Sequence, residues 1–142
     1  MNDLSFKVYL AAKYDRRDEM REHRERLKEV GIEVTSRWLD EQGSLDGNMD
    51  DEDKESYSAT ARVDLEDVLA ATFIIFFAED PLVGVPRGGR HVEFGYALAL
   101  NKPIAVIGPR ENIFHHLTHA GIRHFDSLET FIKEFKKNVL GE

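Results

Sequence analysis

The sequence predicts an α/β fold in three layers, a mostly parallel five-stranded sheet between helices. Two observations carry this. Short apolar runs of strand length alternate with segments of helical periodicity. The run Phe73-Ile74-Ile75-Phe76-Phe77 places five large apolar residues in succession, the mark of a central strand covered on both faces.

The first strand is Lys7-Val8-Tyr9-Leu10-Ala11, a short apolar run near the start. From residue 15 to residue 30, Met20, His23, Leu27 and Val30 recur at helical spacing among charges, and Gly31 follows as a C-terminal cap. Residues 32–36 form a second strand. Eight of the sixteen positions 40–55 are acidic, with Gly43 and Gly47 among them. That density of like charge predicts a solvated, mobile loop over 40–56.

A second helix is read over 56–71, before the central strand. Residues 79–90 hold Pro81, Pro86 and three glycines and form a loop. A third helix follows over 90–101, and Lys102-Pro103 leads into a strand at 104–107. A short helical turn is read at 112–117 and a fifth strand at 123–125. Ser127 caps a last helix, with Leu128, Phe131, Ile132 and Phe135 on one face. The order of elements is flavodoxin- or Rossmann-like and fills residues 1–142 as a single domain.

Bulk composition narrows the function. The length of 142 residues suits one domain, and 42% hydrophobic residues suffice for one core. No apolar run reaches about 18 residues, so no membrane span is expected. The start, Met1-Asn2-Asp3-Leu4, lacks the basic and apolar regions of a signal peptide. Cysteine is absent, which excludes disulfides and thiolate chemistry and fits a reducing cytoplasm. A net charge of −8 argues against nucleic acid as a partner.

Two metal-like patterns fail on inspection. Asp46-Gly47-Asn48-Met49-Asp50 imitates the start of a calcium loop, but Asp51 stands where glycine belongs and Tyr57 where glutamate belongs. His115, His116 and His119 lie close together without a companion carboxylate or cysteine pattern. No metal and no cofactor is expected.

A parallel sheet of this kind binds ligands at the carboxyl ends of its strands, where strand order reverses. Three loops therefore matter: 12–17, 78–90 and 108–112. The chemistry centres on Arg87-Gly88-Gly89-Arg90-His91-Val92-Glu93-Phe94-Gly95-Tyr96-Ala97. Gly88 and Gly89 permit close backbone approach to a ligand. Glu93 falls in the first turn of the next helix, where its carboxylate can face the cleft and attack an anomeric carbon. The local pattern leaves open a plainer role, a glutamate that complements the helix dipole. Lys13, Arg16, Arg17, Arg87 and Arg90 gather at the cleft rim in this fold, suited to phosphate oxygens or to pairing with the abundant acids.

The ordered blocks resemble the nucleoside 2-deoxyribosyltransferase family, whose relatives include 2'-deoxynucleoside 5'-phosphate N-hydrolases. The resemblance spans residues 6–118. It rests on strand one, Asp64-Leu65, the apolar strand 73–77, and Glu93-Phe94-Gly95-Tyr96-Ala97-Leu98-Ala99-Leu100-Asn101-Lys102-Pro103-Ile104. It implies that Glu93 is the nucleophile at C1' of the sugar, forming a glycosyl-enzyme intermediate that water or a second base resolves. It implies that Asp64 acts on the sugar or as proton donor and that Tyr9 orients the nucleophile. It also implies a small-molecule nucleoside or nucleotide substrate and a homodimer or higher homo-oligomer.

The sequence departs from the family in two places. The loop Ala12-Lys13-Tyr14-Asp15-Arg16-Arg17 lacks the Gly-Ser pattern of the monophosphate hydrolases, and Arg-Gly-Gly-Arg-His replaces a shorter glycine-rich stretch before Glu93. Both bear on substrate choice rather than on the reaction. The leading expectation is hydrolysis or transfer at the N-glycosidic bond of a (deoxy)nucleoside or its 5'-monophosphate. The alternatives are a non-catalytic nucleotide-sensing module of the same fold and an interaction domain that uses the acidic loop.

Overall fold

The computed structural model describes residues 6–41, 54–80, 88–118 and 121–142. The acidic stretch is thus described only at its edges; residues 42–53 lie outside the described part, as do Arg87 and His119. The chain runs through β1 (Phe6–Ala11), α1 (Arg17–Glu29), β2 (Ile32–Val34), α2 (Lys54–Ala70), β3 (Phe73–Phe77), α3 (Gly89–Ala99), β4 (Ile104–Ile107), β5 (Ile122–Phe125) and α4 (Leu128–Asn138). All paired strands are parallel and their order is β2-β1-β3-β4-β5. Among the described residues the five-stranded sheet is wholly parallel, as the sequence leads one to expect.

The alternation of side chains along each strand sorts the core into two halves. On one face Phe6 meets Phe135 and Phe73 meets Phe131, both of α4, while Phe77 stacks on His23 of α1. On the other face Tyr9 and Phe76 turn toward α3, where Phe76 meets Phe94. Strands β1, β3 and β4 are buried almost throughout, which explains their unbroken apolar sequences. Two helices cover each face, with α1 and α4 tied by a fork between Arg26 and Glu129.

The helix ends follow the sequence closely. Gly31 takes a left-handed φ of 87° and its N–H bonds the Lys28 carbonyl, ending α1. Ser127 caps α4 by accepting from the Thr130 N–H at 3.1 Å. The third helix ends earlier than 101, because Asn101 turns left-handed at φ 58°. One element has no sequence signal, a 3-10 turn at Arg37–Asp40 that buries Trp38 and Leu39. Trp38 Nε1 donates to the Leu10 carbonyl and the Leu10 N–H donates to Ser36 Oγ, so this turn braces the end of β1. Among the described residues no helix is long and apolar enough to cross a membrane.

Candidate active site

Strand order reverses between β1 and β3, since β1 leads outward to β2 and the chain then returns on the other side. The carboxyl ends of these two strands are thus the place where a doubly wound sheet binds its ligands. Tyr9 lies near the end of β1 and is fully buried. Its hydroxyl donates to Glu93 Oε2 at 2.5 Å, joining residues 84 positions apart. Glu93 sits in the second turn of α3 rather than the first, because the helix already starts at Gly89, and it is partly buried. Burial pushes its carboxyl up to about 8; the Tyr9 hydrogen bond opposes the rise and the charge of Asp64 adds to it. Tyr9 is itself raised well above its ordinary value, by burial first and then by the charge of Glu93.

Asp64 comes from α2. One carboxyl oxygen, Oδ1, is buried with no hydrogen-bond partner among the described groups. Burial, then the charges of Glu41 and Asp67, push this carboxyl up to about 7, against a smaller pull from Arg37. Asp67 next to it is a fixed structural group: buried, it accepts from the Arg37 N–H at 2.9 Å and from Arg37 Nε at 2.8 Å. The structure therefore brings Tyr9, Asp64 and Glu93 into one electrostatic group. Two raised carboxyls beside a tyrosine can supply a nucleophile and a proton donor at the same pH.

The basic residues divide differently from the sequence expectation. Lys13 keeps a loose contact with Asp15, at 3.8 Å. Arg16 is held by Glu19 and by Glu79 at 2.5 Å, and Arg17 donates to the Tyr14 hydroxyl and the Glu41 carbonyl. Arg90 is drawn inward rather than to the rim: it is 4% exposed, with its guanidinium on Glu111. Gly88 is left-handed at φ 89° and starts α3 without a side-chain cap, while a Cβ on Gly88 or Gly89 would meet open space.

Sequence reasoning missed Glu111 and its neighbours, although the loop after β4 was marked. The side chain of Glu111 is only 6% exposed and holds three segments, Arg90, the Glu79 N–H and, less closely, His91 at 3.6 Å. His115 is fully buried against Phe76 and Phe94, which accounts for one of the histidines as packing.

An apolar hollow of about 350 Å³ lies at the opposite end of the sheet, beneath α4, lined by Phe6, Phe73, Phe125, Phe131 and Phe135. Its one acid, Glu134, is paired with Arg123 at 2.5 Å.

The sequence pattern of the nucleoside 2-deoxyribosyltransferase family matches residues 8–128. The chain belongs to this family. The match takes in Tyr9, Asp64 and Glu93, so the carboxyl pair lies within the part that makes the chain a family member. It is an enzyme of nucleoside glycosyl transfer in the broad sense.

Solved structures share its fold. A 2-deoxyribosyltransferase from the psychrotolerant bacterium Bacillus psychrosaccharolyticus superposes with a TM-score of 0.65 at 20% identity, covering 87% of this chain and 88% of that one. A CMP N-glycosidase of Clostridium botulinum gives 0.54 at 16% identity, over 92% and 98% of the two chains. A conserved protein from Enterococcus faecalis V583 gives 0.55 at 14% identity, over 94% and 99%. Comparison with curated proteins gives no match.

Proposed function

We propose that this enzyme breaks the N-glycosidic bond of a (deoxy)nucleoside or its 5'-monophosphate by double displacement through Glu93. The observation that carries the reading is the Tyr9–Glu93 hydrogen bond beside a second raised carboxyl, Asp64. With Glu93 near 8 and Asp64 near 7 the shared proton rests mainly on Glu93, and the productive form is the minor, reversed one in which Glu93 is ionised and Asp64 protonated. Glu93 attacks C1' as the C1'–N bond breaks, and Asp64 gives its proton to the departing base. Ionised Asp64 then takes a proton from water, or from an acceptor base, as it displaces Glu93 from C1'.

Each role follows from its surroundings. Tyr9 donates to the anionic form of Glu93 and fixes one oxygen, leaving the other for the sugar. The carboxylate also stabilises the positive charge that grows on the sugar ring. Asp64, near 7, holds a transferable proton at neutral pH. Lys13 and the Gly88–Gly89 backbone are the groups we assign to a 5'-phosphate or sugar hydroxyl, together with Arg87 and Arg17. Arg16 and Arg90, committed to carboxylates, shape the cleft instead.

Self-association, which the resemblance implies, is part of the proposal. Leu65 and Leu69 of α2 and Val92 of α3 are exposed apolar residues on adjacent helices that a second copy would cover.

The test is chromatographic. A panel of deoxynucleosides, ribonucleosides and their 5'-monophosphates is incubated with the enzyme, with and without an acceptor base. Free base should appear with wild type and fall at least about 1,000-fold with Glu93→Gln. An unchanged rate in the variant would remove the nucleophile from the scheme. Ligand-induced thermal stabilisation with no base release from any substrate would favour a sensor.

A further inference from the structure

We propose that Glu111 is a positioning residue for catalysis: through Arg90 it fixes the first turn of α3 and so the place of the Glu93 carboxylate. The proposal rests on the reading of Glu93 as the attacking group.

The start of α3 needs an external anchor. Its N-cap is the left-handed Gly88, which makes no side-chain hydrogen bond. Arg90 stands three residues before Glu93, so the two side chains are neighbours on the helix surface. Its guanidinium lies over the Phe76 ring, 5.2 Å from the centroid, and forks onto Glu111, with Nη1 to Oε1 and Nη2 to Oε2 at 2.9 Å. A bidentate fork fixes orientation as well as distance.

Glu111 also accepts the Glu79 N–H at 3.0 Å. One carboxylate thus joins the residues after β3, the start of α3 and the loop after β4. That loop is held in turn. The Glu111 N–H donates to His115 Nδ1 at 3.2 Å, with the His115 ring packed between Phe76 and Phe94. Asn112 caps the following 3-10 turn through Phe114 N and lies 3.2 Å from His91 Nδ1.

A buried ion pair is a poor way to gain stability, because desolvation offsets most of the attraction. Apolar side chains would fill the same space as well. What the pair adds is direction at the helix start, one turn before the nucleophile, where a misplacement of about 1 Å is worth about 100-fold in rate.

The decisive variant is the charge-neutral pair Arg90→Met/Glu111→Gln, which removes the fork without leaving a lone buried charge. Expected results are a kcat for base release lowered about 10- to 100-fold, with KM within about threefold of wild type. Independently of turnover, the 13C titration of the Glu93 carboxyl, assigned with Glu93→Gln, should fall by about one pH unit or more as water reaches it. The titratable groups that face Glu93, Tyr9 and Asp64, are untouched by the substitution. Glu111→Asp, one methylene short, should show a smaller change of the same kind and serves if the pair variant does not fold. A lowered Tm with kcat and the Glu93 titration both unchanged, or a loss confined to KM, would overturn the proposal. If wild type releases no base from any substrate, the nucleophile reading fails, while the titration still decides whether Glu111 places Glu93.

Discussion

Glu93→Gln should change how stability depends on pH, with a sign and size that the structure sets. Burial raises the Glu93 carboxyl from the ordinary 4.5 to about 8, even against the Tyr9 hydrogen bond. The folded enzyme therefore keeps a proton that the unfolded chain releases across that interval. The stability linked to it is complete below 4.5 and is lost as pH rises through about 8. At about 1.4 kcal/mol per pH unit, the interval is worth roughly 5 kcal/mol. Part of that belongs to the coupled Asp64 rather than to Glu93 alone, which leaves roughly 2–4 kcal/mol for the substitution. Glutamine has no charge to bury and retains an oxygen for Tyr9. At pH 5 the two proteins should melt within about 2 °C of each other, and at pH 9 the variant should melt about 6–12 °C higher. Thermal unfolding followed by circular dichroism across pH 5–9 measures this. Parallel pH profiles would refute the claim that Glu93 is a buried, raised carboxyl.

Other outcomes follow from the same geometry. Because the productive state holds one proton between Asp64 and Glu93, kcat/KM should follow a narrow bell with apparent values near 7 and 8; a flat profile from pH 5 to 9 would contradict it. Asp64→Asn should slow release of ordinary bases by about 100-fold or more, but substrates with an activated leaving group should lose much less, as steady-state rates with both classes will show. Ser127→Ala removes the oxygen that caps α4 and should lower stability by about 1 kcal/mol in denaturant melts without changing kcat. Sedimentation at 16.3 kDa alone, at any concentration, would remove self-association.

Much of this was legible in the chain because the signals are local. Phe73–Phe77 shows a doubly covered strand by composition alone, and Ser127 with its apolar stripe shows the last helix, cap included. Glu93 was singled out by its place after Gly88-Gly89, and Tyr9 and Asp64 through resemblance; their raised titrations come from burial that no local pattern reports. What stayed hidden depends on contacts between distant residues. The Arg37–Asp40 turn has no periodicity, and its burial of Trp38 depends on the Leu10 carbonyl, 28 residues away. Arg90 looked like a rim cation because arginine is usually exposed, and only Glu111, 21 residues on, explains why it points inward. Arg16 was grouped with the phosphate binders, whereas Glu79, 63 residues distant, takes one of its donors.

The central claim is a covalent bond between Glu93 and the sugar. A 2-deoxy-2-fluoro nucleoside slows the departure of the sugar from the enzyme, because fluorine at C2 destabilises the positively charged transition state. Intact-mass analysis followed by peptide mapping should then find one fluorinated glycosyl group, on the peptide that contains Glu93, and none on Glu93→Gln. Release of base at the wild-type burst with no adduct, or the same adduct on the variant, would contradict the account.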